Sequence, residues 1–319
     1  MTIIVTIGLH ILDVCVQHID EIPQGQNVAL VDDINISAAG TAAGFAVDIS
    51  KLVDCQVVSV GAVGNDETGS ILLGILARYG INVDHICRKK DLKTSCTVLP
   101  IRSNGERPAL HMVGANAALS YDDIPLDVIK EATFLHIGGF FLLQSFDGTP
   151  TVDTLKLAKE SGAITSMDII GFRCDDMAGK ILPCMTYLDY FMPNLEEAEM
   201  ISGITTNVDD IADFYLNAGA GTVVIKMGAR GSFLKNKKGL RLRVPAYSVK
   251  VIDTTGCGDG WNAGFIAALS KGMSEDDAAR FASACGSLVS TGLSSAYGII
   301  DYDTTLMFMN NTPTLPLLD

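Results

Sequence analysis

Ile252-Asp253-Thr254-Thr255-Gly256-Cys257-Gly258-Asp259-Gly260-Trp261-Asn262-Ala263-Gly264 leads from a β-branched run into Ala- and Gly-rich helical sequence. The glycines flanking Cys257 let the chain turn tightly with its N–H groups converging, and the helix that follows adds its positive end. Such a turn is built to hold an anion. Asp259 is then out of place, because phosphate repels a carboxylate that has no task there. The obvious task is to accept a proton from a hydroxyl attacking that phosphate. The plainer reading makes Asp259 a helix cap, since Asp is a common N-cap and Gly a common neighbour. Cys257 offers a thiol nucleophile on paper, but direct in-line transfer needs no covalent intermediate, so it reads as a small packing group.

Outward from this stretch, short β-rich runs alternate with longer helical patterns. Ile3–Ile7, Val57–Val60, Phe134–Ile137, Ile164–Asp168, Leu188–Met192 and Val223–Lys226 are the expected strands. Ala38–Leu52, Thr68–Tyr79, Thr151–Glu160, Leu195–Ile201 and Asp209–Leu216 carry apolar residues at helical spacing. That rhythm predicts a doubly wound α/β fold, a mostly parallel central sheet flanked by helices. Val14–Ile36 and Thr94–Val113 break it with β-branched residues around polar turns such as Ser103-Asn104-Gly105-Glu106. They are expected to pair as a small β-sheet lid over the carboxyl ends of the core strands, where open α/β sheets bind ligands.

Composition removes several function classes. A chain of 319 residues, 48% of them hydrophobic, can bury a large core as one domain, 1–319, with a discontinuous lid from about 14–36 and 94–113. Its longest apolar stretches, such as Phe134–Leu143, are interrupted by His136, Gly138 and Gly139, and fall short of the roughly 20 residues of a membrane span. Met1-Thr2-Ile3-Ile4-Val5 reads as a first core strand and not as a signal peptide, which predicts a cytoplasmic protein. The eight cysteines form no Cys-x-x-Cys pair and do not cluster with the five histidines, so they are expected to be reduced thiols without structural zinc. A formal charge of −14 repels a phosphate backbone, and the basic cluster Lys235–Arg243 looks like a solvated hairpin; nucleic acid is not the expected partner.

The set Asp253, Thr254, Gly256, Gly258 and Asp259 arises by chance in a chain of this length with probability on the order of 10⁻⁴ to 10⁻³. It resembles the C-terminal signature of the ribokinase-like (PfkB) carbohydrate kinases, usually Asp-Thr-x-Gly-Ala-Gly-Asp, with Cys257 in place of the alanine. The resemblance implies an ATP-dependent phosphotransferase of ribokinase-like fold. In it the backbone amides of Gly256, Cys257, Gly258 and Asp259 form the anion hole and Asp259 is the base. Placed at a helix N-terminus, which favours its ionised form, Asp259 is expected to be a weak base that accepts the proton late.

Further motifs follow in the family's order, from about residue 3 to residue 300. Asn194 and Glu197 match its Asn-x-x-Glu element, which organises magnesium and its waters; the same pair also fits a capping box. Lys226, Gly228 and Gly231 resemble the nucleotide loop, although a lysine at a strand end is usually solvated. Helix Asp276–Val289 is expected to supply the adenine pocket, with Ser283 where many relatives have Asn. Gly8 and Asp13 resemble the family's start, where an aspartate accepts hydrogen bonds from substrate hydroxyls, although Asp13 also suits a surface turn. Gly40, Thr41 and Gly44 lie in the counterpart of its N-terminal glycine signature, with Gly44 where many sugar kinases carry Asn. Gly61–Gly69 and Gly114–Leu119 match two more loops. The resemblance also implies a monovalent cation such as potassium, held by backbone carbonyls near Asp253 and Thr255. The exposed small sheet, with Val28, Leu30, Val98 and Ile101, predicts a homodimer through the lid.

A nicotinamide dehydrogenase needs Gly-x-Gly-x-x-Gly after its first strand, and here that turn reads Gly8-Leu9-His10-Ile11-Leu12-Asp13; a Walker P-loop is absent too. A non-catalytic sugar- or nucleotide-sensing protein of the same fold is the alternative from another class. Among acceptors a plain furanose or ketose comes first. A sugar acid of the 2-keto-3-deoxygluconate kind, its carboxylate met by Arg173, comes second, and a nucleoside third.

Overall fold

Ile3-Ile4-Val5-Thr6-Ile7 is β-branched or apolar at every position, as a strand covered on both faces requires. In the structure, a computed structural model that describes residues 2–17, 19–103, 106–293 and 297–317, this run is β1 (Ile3–Gly8). Asn104 and Gly105 of the expected polar turn lie outside the described residues. The chain continues through β2 (Ile11–Gln17), β3 (Ile34–Ala39), α1 (Thr41–Leu52), β4 (Gln56–Gly64), α2 (Glu67–Arg78), β5 (Asn82–Lys89), β6 (Cys96–Ile101) and β7 (Leu110–Met112). It then alternates through α3 (Leu126–Glu131), β8 (Phe134–Phe140), α4 (Thr149–Glu160), β9 (Ile164–Ile169), α5 (Met177–Met185), β10 (Tyr190–Phe191), α6 (Leu195–Ser202), α7 (Val208–Ala218) and β11 (Thr222–Lys226). The last elements are β12 (Ser232–Asn236), β13 (Arg241–Val244), α8 (Cys257–Ser270), α9 (Glu275–Val289) and α10 (Tyr302–Asn311).

Nine strands form one sheet in the order β13-β12-β11-β10-β9-β8-β1-β4-β5. The pairings from β11 through β5 are parallel, and β12 and β13 add an antiparallel edge. Alternation along β1 divides the core. Val5 and Ile7 pack with α3–α7 residues such as Leu155 and Ile211, while Ile4 packs on the other side with Phe45, Phe265 and Phe281 of α1, α8 and α9. The basic hairpin is this sheet's solvated edge, where Lys235 and Arg241 both pair with Asp209.

A separate four-stranded sheet, ordered β3-β2-β6-β7, is built from the two stretches that broke the rhythm. Its register places Ile36, Val14, Val98 and Leu110 in one cross-strand row, and Ser37, Asp13, Thr97 and His111 in the next. Successive residues face opposite sides of a sheet, so one face carries an apolar row and the other a polar one. On the apolar face Ile36, Val98 and Leu110 are exposed.

Two boundaries differ from expectation. Ala38 and Ala39, taken as helical, finish β3 and pair with Leu12 and Ile11. Small apolar residues satisfy either period, and what separates strand from helix is Gly40, at φ 91°, where a Cβ would stand 2.5 Å from the Leu9 carbonyl oxygen. Of the expected strand Leu188–Met192 only Tyr190–Phe191 pairs as a strand, between β9 and β11.

Candidate active site

Gly256, in the left-handed region with φ 76° and ψ −2°, is the N-cap of α8, and no side chain caps that helix. Asp259 is therefore not the cap its residue type allows. It lies inside the first turn, buried. The Cys257 amide donates to the Thr254 carbonyl at 3.3 Å and the Gly260 amide to the Gly256 carbonyl at 2.8 Å. The amides of Gly258 and Asp259 have no partner among the described residues, and they belong to the positive end of the helix. Burial, and then Asp259 nearby, push the Cys257 thiol up to about 11, which suits the packing role and not a nucleophile.

Lys226 is not solvated. Its Nζ donates to Asp168 Oδ2 at 2.6 Å and to Asn262 Oδ1 at 3.3 Å, and Asn262 Nδ2 donates to the same Asp168 oxygen at 2.6 Å. The ammonium also lies against the turn, for a Cβ on Gly258 would stand 3.2 Å from it. Asn194 and Glu197 do form the capping box of α6: the Glu197 amide donates to Asn194 Oδ1, and the Asn194 amide to Glu197 Oε2, each at 2.9 Å. Both residues nevertheless line the same cavity, of about 670 Å³, as Asp168, Lys226 and Asp259. Burial first and the Asp168 carboxylate second raise Glu197 to about 7. The same two causes raise Asp259 well above the ordinary carboxylate range, with Lys226 opposing them. This reverses the expectation of a weak base: the helix terminus is outweighed by loss of water and by neighbouring carboxylates.

Of the other candidates, Thr41, Gly228, Gly231, Gly256, Cys257, Gly258 and Ser283 line the cavity. Ser283 donates its hydroxyl hydrogen to the Pro245 carbonyl at 2.6 Å, so it offers a ligand only an acceptor oxygen. Gly44 lies in α1 directly behind Asp259, where a Cβ would stand 2.8 Å from Asp259 Oδ2; an asparagine there has no room beside the carboxylate. Asp13 is no surface turn residue. It is buried in β2 between Ser37 and Thr97, and burial raises it to about 6, partly offset by a Thr97 hydrogen bond. Arg173 is exposed after β9 and is not among the residues that line this cavity. The side chains of Asp253 and Thr255, whose backbone carbonyls are the expected alkali-cation ligands, are met by the Arg107 guanidinium from the segment joining β6 to β7.

Two loops that matched the family are braces. Asp66 caps α2 through the Gly69 amide and accepts from Thr94, while Asn116 holds both the amide and the carbonyl of His10. The sequence reading missed Asp168, Ser37, Thr97 and Arg107. Asp168 appears in sequence only as the end of a strand, and no local pattern marks the other three.

A family model described as pfkB family carbohydrate kinase matches residues 1–300. The chain belongs to that family. Among curated pfkB relatives, a probable fructokinase-5 of Arabidopsis thaliana is 27% identical over 289 residues, covering 86% of this chain and 89% of the relative. A 2-dehydro-3-deoxygluconokinase of Bacillus subtilis is 27% identical over 242 residues, covering 71% of this chain and 72% of its own. The fold is also that of a putative ribokinase II from E. coli solved with ATP and magnesium, with a TM-score of 0.84 at 21% identity over 97% of this chain and 99% of that one. This pfkB chain is thus a ribokinase-like carbohydrate kinase, and none of its helices is long and apolar enough to cross a membrane among the described residues.

Proposed function

We propose that this chain transfers the γ-phosphoryl group of ATP to a hydroxyl of a neutral sugar, with Asp259 as base and the amides beginning α8 as anion hole. One observation carries the reading: Asp259 is buried beside free helix-terminal amides, caps nothing, and is pushed toward protonation by its surroundings. A carboxylate in that state takes a proton from an attacking hydroxyl more readily than an ordinary one. Lys226, fixed by Asp168 and Asn262, lies beside the turn where a transferring phosphoryl group is to be stabilised.

Magnesium fits the residues present as an ion held through phosphate and water. Asp168, Glu197 and Asp259 are buried together with one lysine, a surplus of negative charge that a divalent cation would balance. No three side chains converge as ligands among the described residues, so Asn194 and Glu197 would orient its waters. When bound, the ion would neutralise charge on the phosphates. Whether potassium also acts near Asp253 and Thr255 is decided by comparing rates in potassium and in a bulky organic cation.

A neutral acceptor is favoured over a sugar acid by the lid's polar row and the neighbouring Thr41. Ser37 and Thr41 have buried hydroxyls without partners among the described residues, and Asp13 adds an acceptor pair. Sugar hydroxyls would satisfy all three, whereas a carboxylate would meet Asp13 unopposed. The exposed apolar row of the lid fits a second copy of the same face, which makes the working molecule a homodimer. Eight unpaired cysteines suit the reducing cytoplasm.

ATP consumption across a panel of ketoses, aldoses, sugar acids and nucleosides tests the acceptor, and Asp259→Asn tests the base. The variant should fold, and kcat should fall about 10²- to 10⁴-fold with its best sugar. Near-normal kcat in a folded Asp259→Asn protein rules this mechanism out.

A further inference from the structure

The turn that enters α8 lacks a side-chain cap, so something else must fix the direction in which its amides point. Part of the answer is local: the Thr255 amide donates to Asp253 Oδ1 at 2.6 Å. The rest comes from some 146 residues away in sequence. The Arg107 guanidinium pairs with Asp253 Oδ1, donates to Thr255 Oγ1, and donates through Nη2 to Thr254 Oγ1 at 3.2 Å. Three consecutive residues of the turn are thus gripped by one planar fork, a geometry available to arginine and not to lysine. Arg107 belongs to the connection between β6 and β7, so it travels with the lid sheet. It does not line the cavity.

We propose that Arg107 is a positioning residue that latches the lid to the turn 253–255 and thereby aims the Gly258 and Asp259 amides at the transferring phosphoryl group. The latch makes the anion hole conditional on the lid. With the lid in place, the carboxylate of Asp253 and two hydroxyls are held at once. With it displaced, the turn keeps its backbone bonds, among them the Asp253 amide to the Ser290 carbonyl and the Cys257 amide to the Thr254 carbonyl, but loses the grip on three of its side chains. A lid that has to be down before the hole is formed discriminates against water as acceptor, since water entering an open site meets amides that are not aimed. The inference rests on the anion-hole reading above.

The test compares the wild type with Arg107→Ala, Arg107→Lys and Thr255→Val. Hydrogen exchange of the peptide spanning 253–260 is measured without ligand, and ATP turnover with the best sugar. Arg107→Ala should exchange faster at 256–259 and lose kcat by about 10- to 100-fold, with the acceptor KM little changed. Millimolar guanidinium should restore part of the rate. Arg107→Lys should fall between the two, because it keeps the charge without the fork. If Arg107→Ala fails to fold, Arg107→Lys and Thr255→Val carry the comparison. Unchanged exchange over 256–259, or a loss confined to acceptor KM, overturns the proposal. A wild type that consumes no ATP with any acceptor defeats the kinase reading instead, while the exchange measurement still decides the latch.

Discussion

At the scale of single residues, the site turns on the contact between Gly44 and Asp259. A glycine inside a helix normally costs about 1 kcal/mol relative to alanine, so Gly→Ala within α1 should stabilise if space were open. Here the new methyl would press on the base at 2.8 Å. Gly44→Ala should therefore lower kcat at least as much as it disturbs the melting temperature. Gly74→Ala in α2, where a Cβ meets nothing within 4 Å, should stabilise by up to about 1 kcal/mol and leave turnover alone. Equal kcat in the two variants would show that the contact does not constrain Asp259. Asp259 itself was legible in the sequence because a carboxylate in a glycine turn before a helix is chemically odd. Its raised pKa was not, because that depends first on burial and then on Asp168, Asp48 and Glu197, which arrive from three other elements.

At the scale of elements, α6 shows one residue pair meeting two demands. The Asn194–Glu197 box satisfies the helix's free amides, and the same glutamate faces the cavity. Gln at 197 can still accept from the Asn194 amide, so Glu197→Gln should keep or slightly raise stability while removing the charge beside the phosphates. The expected outcome is a folded protein with lower kcat and a higher magnesium requirement, read by titrating magnesium at fixed ATP. An unchanged magnesium dependence would leave Glu197 only its capping role. Strand and helix types were legible where a short apolar, β-branched run marked a strand covered on both faces, as in β1 and β8, or where a helical period stood out, as in α7. They failed at Ala38-Ala39, where two alanines satisfy both periods and only the close approach of Gly40 to Leu9 decides. The small sheet could be foreseen as two β-rich interruptions, but the parallel pairing of β2 with β6 and the polar row it creates needed the register.

For the whole molecule, buried carboxyls couple stability to pH. Asp48, wholly buried with Oδ2 unpartnered among the described residues and Lys51 only 3.3 Å from Oδ1, is raised to about 7 by burial; Glu197 is raised to about 7 as well. Both pKa values lie above those of the unfolded chain, so the folded state binds more protons between about pH 4 and pH 7. The stability these two carboxyls contribute is complete below that window and falls as pH rises through it, while His10 and His136, both lowered by burial, oppose them by losing stability as pH falls below about 6.5. Calorimetry on the ligand-free protein should give a lower melting temperature near pH 8 than near pH 5.5, and Asp48→Asn should shrink that difference. A melting temperature independent of pH across that range would contradict the buried charge. Oligomerisation is read independently: Leu110→Asp, on the apolar lid row, should convert a dimer to a monomer in light scattering at micromolar concentration without changing the melting temperature of the protomer. The site is also spread along the chain in a telling way. Asp13 and Gly44 come first, then Asp168 and Lys226, and the turn with Asp259 after every strand of the two sheets. A nascent chain that has left the ribosome through β13 owns every strand of both sheets, yet neither base nor anion hole. If Asp259 and the amides beginning α8 act as proposed, a growing chain should consume no ATP until the turn 253–259 has left the ribosome.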